Sequence, residues 1–512
     1  MVKCVLRERL YVPSSEVTPE SLEDFTHFFE EYEDTVDAEG QVINQKVTRR
    51  VQTYKEIVNP NDGQRYHGFA RGDLDKLRQH FGHIEWEDRR AAPPMTYNLQ
   101  VNSSFKLKNY DSDGTGQEEV IPIVMEKRTG ILKAPPRFGK TVLTVYLTTL
   151  YRLKTLIIIH QRDLLDQFYD EYVRFTNLLE IRKPQVKKRD ATGQVVGFFT
   201  DYKNPEELDV CLVCWQTLGS KKGPERVAKL RDAFGLHVID EVHRSASFKY
   251  SATINSMNPK YRLGLTGTVA RVDNKQKIAL DVVGPVIAKG KVRQVPCVVT
   301  VIHTHIPVKF DMRRDPLPYL HQRLYRNDER LKIVLRYLKE DVAAGFYICI
   351  GFHRASQEQL KDFTSLLRYL GYTAEAFHGV MKLDRKEVLD QFRSGEVQVA
   401  VCNEAMLTGV NVPRWNAYYS MFPTSNVCFE VDPLDGELVL SGNYVQNFSR
   451  PRTVFWYDAN TQKKMALIRD FVDDNKHCYS AYKKRLSAYK HEKFPIEHIY
   501  EKSVSSAESD QP

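Results

Sequence analysis

No stretch of the 512-residue chain approaches the roughly 20 consecutive apolar residues that a helical membrane span needs, so a membrane role of that kind is excluded. The first residues, Met1 to Arg9, carry charges where a secretory leader needs an apolar core, and a cytoplasmic location is expected. Cysteine is sparse. The eight cysteines lie mostly inside apolar runs, as Cys349 and Cys402 do, which reads as reduced core packing and excludes a disulfide framework. Cys211-Leu-Val-Cys214 has zinc-knuckle spacing, but in a strand residues three apart face opposite sides of the sheet, and no second pair follows. No metal cluster of that type is expected. A strong charge of either sign is also missing: a formal +8 with pI ≈ 8.8 permits nucleic-acid binding without demanding it.

What is present is a soluble composition, 42% hydrophobic and 27% charged, in a chain too long for a single core. Its organising stretch is Ala134-Pro-Pro-Arg-Phe-Gly-Lys-Thr141, preceded by the apolar Gly130-Ile-Leu132 and followed by the helical pattern Val142 to Leu147. A tight loop between strand and helix aims backbone N–H groups and the positive end of a helix dipole at its ligand, and phosphate suits that geometry. Lys140 supplies a point charge for β- and γ-phosphates, Thr141 a hydroxyl for Mg²⁺, and Gly139 a close backbone approach. Ala134 stands where the first glycine of the usual phosphate-loop pattern would be. Asp240-Glu241 ends the apolar Leu236-His-Val-Ile239 about a hundred residues further on. An acidic pair at that point gives one carboxylate to hold Mg²⁺, Asp240, and another to serve the attacking water, Glu241.

Before residue 100 no chemical motif stands out. Leu6 to Val12 reads as a strand, Thr18 to Tyr32 as an acidic amphipathic helix capped by Thr18 or Ser21, and residues 34–45 as a polar turn. Val47 to Ile57 reads as a strand, basic through Lys46, Arg49 and Arg50, and Asp73 to Phe81 as a helix. From Phe105 strands alternate with helices, the rhythm of a parallel sheet covered on both faces, and after Gly284-Pro285 the alternation starts again. Strands are expected at Phe346–Gly351, Thr373–Phe377, Val397–Cys402, Ala417–Phe422 and Thr453–Tyr457, with a basic helical pattern over Lys463–Lys493 and a polar end expected to be disordered. Two tandem sheets imply a cleft. The expected α/β architecture is an N-terminal accessory domain (1–100), two parallel-sheet lobes (101–290 and 291–475) and a basic tail (476–512).

These stretches together resemble the superfamily 2 helicases and translocases of the DExH type over roughly residues 105 to 475, which implies two RecA-like lobes. Gln117 fits the glutamine that reads adenine, Ala134–Thr141 motif I, His160–Gln167 motif Ia, Asp240-Glu-Val-His243 motif II and Leu265-Thr-Gly-Thr268 motif III. Gly351-Phe-His-Arg354 resembles motif IV, Leu407-Thr-Gly-Val-Asn-Val-Pro413 motif V, and Gln446-Asn-Phe-Ser-Arg-Pro-Arg452 motif VI. Motif VI departs from the family pattern, with Ser449 in place of glycine and Arg452 one residue early, while Arg450 keeps its spacing from Gln446.

The resemblance implies ATP and Mg²⁺ as cofactors. It places catalysis at Lys140, Asp240, Glu241, Gln446, Arg450 and Arg452, and nucleotide contacts at Gln117, Pro136, Arg137, Phe138, Gly139, Lys140, Thr141, Gly409 and Asn411. Nucleic-acid contacts, made through phosphates without base reading, fall to His160, Arg162, Thr217, His353, Arg354 and Thr408. Asp-Glu-Val-His with Leu-Thr-Gly-Thr resembles the DNA translocases of the RecG, XPB and phage UvsW types more than the Asp-Glu-Ala-Asp RNA helicases. The expectation is therefore a monomeric ATP-driven enzyme that remodels branched or duplex DNA; the alternatives are an RNA helicase and an ATP-binding scaffold without turnover. Asp432-Pro-Leu-Asp-Gly436, between alternating apolar runs, reads as the turn of a hairpin that contacts nucleic acid or is a plain surface loop.

Overall fold

The computed structural model describes residues 2–36, 42–60, 63–107, 116–135, 138–178, 190–191, 193–267, 275–292, 294–311, 314–353, 355–378, 385–403, 412–424, 427–431, 438–441, 443–455, 457–458 and 461–502. They divide into two compact units that meet in sequence at Val292.

In the first unit, short β-rich runs such as Thr155–Ile159 are buried along their whole length, which a strand tolerates only in the middle of a sheet covered on both faces. The sheet has seven strands in the spatial order Val196–Phe198, Val210–Cys214, Thr155–Ile159, Leu236–Asp240, Tyr261–Thr266, Gly130–Lys133, Val286–Lys289. Every pairing is parallel. Ile157 and Ile159 pack into one apolar cluster with Val120, Leu143 and Phe168 from three helices. Leu156 and Ile158 face the opposite cluster, with Val227, Ile254 and Ile278 from three others. The period of two thus sorts one strand's side chains between two helical layers. All carboxyl ends lie on one edge, where open parallel sheets bind ligands.

The N-terminal residues form a five-stranded mixed sheet, ordered Lys55–Val58, Arg65–Phe69, Leu10–Pro13, Val2–Leu6, Ile84–Asp88. The helix expected over Thr18–Tyr32 stops at Glu23. Thr18 caps it in a capping box with Ser21, and Thr26–Val36 then pairs antiparallel with Val42–Gln52, so much of the stretch read as polar turn is strand. Thr, Phe, Tyr and Val in Thr26–Val36 favour the pleated surface, and its acids do not oppose it once Phe29 packs into the neighbouring core.

This sheet is fastened to the seven-stranded lobe. The Arg71 guanidinium donates to the carbonyls of Pro259 and Lys260, and a Cβ at Gly72 would lie 2.0 Å from the Leu280 carbonyl oxygen. Arg262, fully buried in the lobe, reaches back to the Glu8 carbonyl at 3.2 Å while donating to Ile254, Met257 and Val282. Burial holds its guanidinium down at about 9.

The second unit is again a seven-stranded, all-parallel sheet, ordered Ala374–Phe377, Val399–Asn403, Ile348–Phe352, Ala417–Ser420, Ala466–Asp474, Cys297–Pro307, Ile496–Tyr500. Four strands fall where the sequence puts them; the fifth does not. Among the described residues of that stretch, Thr453 makes an isolated bridge to Gln294 and no strand forms, and the fifth place is taken by Ala466–Asp474, inside the stretch expected to be helical. The tail reading changes accordingly. A helix, Lys476–His491, packs Tyr482, Ala488 and Tyr489 on the sheet, and Ile496–Tyr500 then adds an edge strand. Among the described residues no helix is long and apolar enough to cross a membrane.

Candidate active site

The strand Gly130–Lys133 leads into the phosphate loop, and the helix Lys140–Tyr151 leaves it. Gly139 stands at the helix N-cap with φ +86°, a conformation open to glycine. Its carbonyl and that of Phe138 accept from the Gln117 side-chain amide at 3.3 and 2.7 Å, and a Cβ on Gly139 would lie 2.5 Å from that nitrogen. Gln117, fully buried at the start of the helix Gln117–Lys127, therefore braces the loop from behind. Phe138 is core, its ring filling the space where a Gly290 side chain would be. Pro136 and Arg137 lie outside the described residues.

Lys140 lies at the helix start and donates to the Ala134 carbonyl at 3.1 Å, with Glu241 Oε1 3.8 Å away. Thr141 follows it, half-buried. Asp240 ends its strand, and Glu241 turns the chain at φ 49°, a left-handed position costly for a residue with a side chain. Burial, then the neighbouring Glu241 charge, push Asp240 up to about 7. Burial acts upward on Glu241 too, but Lys140, the hydrogen bond from His243 and the charge of Arg244 outweigh it and hold Glu241 well below the usual carboxylate range. Two adjacent carboxyls are thus driven apart, Asp240 toward holding its proton and Glu241 toward the ionised form.

Neighbouring side chains complete this centre, among them Arg244, which sequence reasoning left without a role. The Thr266 hydroxyl lies 3.4 Å from Glu241 Oε2 and 2.8 Å from His243 Nδ1. Arg244 donates to His160 Nε2 at 2.6 Å. His160 follows the neighbouring strand; burial, then the Arg244 charge, lower it to about 4, so the ring is neutral, and among the described residues its buried Nδ1 has no hydrogen-bond partner. The Gln216 amide donates to the His160 carbonyl at 3.0 Å. Motif III is consequently hydrogen-bonded to motif II, and the residue that follows motif II to motif Ia, links that no reading of separate motifs could supply. Arg162 is exposed beside it, and the Thr217 carbonyl accepts from Arg226 at 2.8 Å.

In the second unit His353 follows the strand Ile348–Phe352 and meets the His321 ring at 5.9 Å. Arg450 is buried after the helix Asn443–Ser449, where its charge acts on the Cys402 thiol. Arg452 is differently placed: it pairs with Glu492 at 2.7 Å and lies over the Phe494 ring at 4.6 Å. Lys463 is buried, its ammonium donating to the carbonyls of Pro413, Trp415 and Pro451 at 2.6, 2.6 and 3.1 Å, and so ties the end of motif V to that of motif VI. Sequence reasoning missed it because a lone lysine carries no pattern. The Gln446 side chain, Arg354, Thr268, Thr408, Gly409, Asn411 and the turn Asp432–Gly436 lie outside the described residues. The flanking strands Cys428–Val431 and Leu438–Ser441 do pair antiparallel.

Two RecA-like lobes, the first carrying a lysine, a threonine and an acidic pair around a phosphate loop, define the class by fold. Comparison with known families agrees. The family described as type III restriction enzyme, res subunit, matches residues 101–271, and the helicase conserved C-terminal domain matches residues 330–451. Together they span more than half of the chain, which belongs to the superfamily 2 helicases.

Among individual proteins, one of Acanthamoeba polyphaga mimivirus, carrying the provisional name of an ATP-dependent RNA helicase, is 26% identical over 33% of this chain and 29% of its own length. The DNA 3'-5' translocase XPB2 of Sulfurisphaera tokodaii is 23% identical over 38% of each. The chain thus spans well under half the length of these curated relatives. The crystal structure of T4 UvsW aligns over 98% of this chain and 99% of that one, at 14% identity and a TM-score of 0.34.

Proposed function

We propose that the chain is an ATP- and Mg²⁺-dependent motor that moves along DNA and unwinds or branch-migrates forks and four-way junctions during replication or recombination. The observation that carries this reading is a pair of hydrogen-bonded links that meet at the neighbours His243 and Arg244: Thr266 ties His243 to Glu241 at the nucleotide centre, and Arg244 holds His160 in a loop assigned to nucleic acid.

ATP binds with its phosphates in the loop braced by Gln117. Lys140, leaving the Ala134 carbonyl, neutralises charge on the β- and γ-phosphates. The buried Asp240 carboxyl and the Thr141 hydroxyl fit Mg²⁺, which when bound draws charge from the β- and γ-oxygens. Glu241 orients the attacking water. Once Lys140 turns to phosphate, the strongest influence holding Glu241 down is withdrawn, and its affinity for the water's proton rises. We assign the γ-phosphate finger to Arg450, because Arg452 is already committed to Glu492 and Phe494. His160, Arg162, Thr217 and His353, with Arg354 and Thr408, are the assigned phosphate contacts along the strand.

DNA is favoured over RNA by the Asp-Glu-Val-His and Leu-Thr-Gly-Thr forms of motifs II and III and by the name of the archaeal translocase; the name of the mimivirus relative supports RNA. A scaffold without turnover is opposed by the presence of Lys140, Asp240, Glu241 and Arg450 together. The test is ATP hydrolysis measured with forked DNA, four-way DNA and single-stranded RNA. Stronger stimulation by the branched DNAs is expected, and the reverse order would give the track to RNA. Lys140→Ala and Glu241→Gln are each expected to lower the stimulated rate by about 100-fold or more with the fold retained; near-normal turnover in both would remove the site.

A further inference from the structure

Beyond the motif residues, the second unit carries a groove of about 480 Å³ whose lining has three cations and no carboxylate: Lys309, Arg323 and Arg326, with Tyr319, Gln322 and Asn327. Lys309 and Arg326 are exposed and make no ion pair among the described residues. Arg323 is held in one pose, donating to the Lys309 carbonyl at 2.6 Å and to the Tyr319 hydroxyl, with its guanidinium 4.3 Å from the centre of the Tyr319 ring. A planar cation fixed over an aromatic ring, beside two unpaired cations, suits a phosphodiester strand better than a lone anion. The acids that flank it in sequence, Asp311, Asp315 and Asp328, do not line the groove, and Asp315 accepts from the Asp311 backbone N–H at 3.0 Å.

Its position matters as much as its charge. Pro307 and Lys309 lie at or just past the carboxyl end of the strand Cys297–Pro307, the same edge of the parallel sheet as His353. The helix Leu317–Tyr325, which carries Tyr319, Gln322 and Arg323, sets its His321 ring against His353 and stacks it on Phe422 at 4.7 Å. The groove and motif IV are therefore opposite sides of one short helix.

We propose that this groove is an additional nucleic-acid contact that extends the strand's path past motif IV, gripping the sugar-phosphate backbone through Lys309 and Arg326 and offering Arg323 and Tyr319 as a stacking surface. The inference rests on the nucleic-acid reading above, and its ligand chemistry is the phosphodiester backbone, common to DNA and RNA.

The experiment measures dissociation constants of the full chain for duplex DNA, forked DNA and single-stranded RNA of equal length across a salt series. It compares wild type with the double variant Lys309→Gln/Arg326→Gln, using the melting temperature as the fold check. Losing two phosphate contacts should weaken binding about tenfold at low salt and flatten the log–log salt slope by about 1.4 to 1.8. The charge-reversing pair Lys309→Glu/Arg326→Glu should weaken it further, and the substrate most affected identifies the strand the groove holds. Unchanged affinity and slope in both variants on all three substrates, while wild type binds, overturns the groove alone. Wild type binding none of them overturns the reading beneath it as well.

Discussion

His160 shows how one side chain's environment sets a measurable property. Burial and Arg244 depress it from 6.5 to about 4, so between those values the unfolded chain binds a proton that the folded one refuses, and stability from this group rises with pH across that window. The melting temperature is expected to fall as pH drops from 7 to 5, and His160→Gln should reduce that fall; equal falls in the two proteins would assign the slope to other groups. Gly139 makes a second case. Replacing it with alanine adds strain at φ +86° and sets a methyl 2.5 Å from the Gln117 amide, so Gly139→Ala should raise the KM for ATP several-fold. Gln117→Ala in the same chain should restore part of that loss, which steady-state kinetics of the three variants would read out.

Elements decided by local pattern were legible, and those decided by partners were not. The phosphate loop, the acidic strand end and four of the five second-lobe strands could be read from apolar runs ending in polar residues, because buried parallel strands leave that signature. Ala466–Asp474 hides it. Arg469, Asp470 and Asp473 interrupt its apolar residues, and only the folded chain shows each one paired: Arg469 with Asp341, Asp470 with Arg485, and Asp473 with Arg330. Thr453–Tyr457 has the better strand composition but, among the described residues, no neighbour to complete it beyond one bridge.

At the site, residue types at fixed spacing were visible, whereas Arg244, Thr266 and Lys463 act through contacts 12 to 84 positions away, which no spacing encodes. Breaking one such pair is a direct test. Asp470→Ala would strand the buried Arg485 guanidinium and should cost about 3 to 5 kcal/mol in denaturant unfolding, far more than an exposed carboxylate. Lys463→Met should cost about 1 to 3 kcal/mol by leaving backbone carbonyls without a donor, and it should also lower kcat more than it changes KM if the tie between motifs V and VI serves turnover.

On the scale of the whole molecule, the first ninety residues are not a separable appendage. Arg262, which burial holds at about 9, gives one of its bonds to the Glu8 carbonyl, and Arg71 returns two to the far side of the same joint. A chain shortened to begin near residue 100 would uncover that guanidinium's pocket along with the lobe surface that Phe29 and Val51 cover. Such a fragment is expected to melt several degrees lower than the intact protein, as calorimetry would show. Anyone cutting this sequence down to its two lobes would thus be cutting through a weld rather than a hinge, and a tag or fluorophore placed in the opening strands would report on the body that carries the phosphate loop itself.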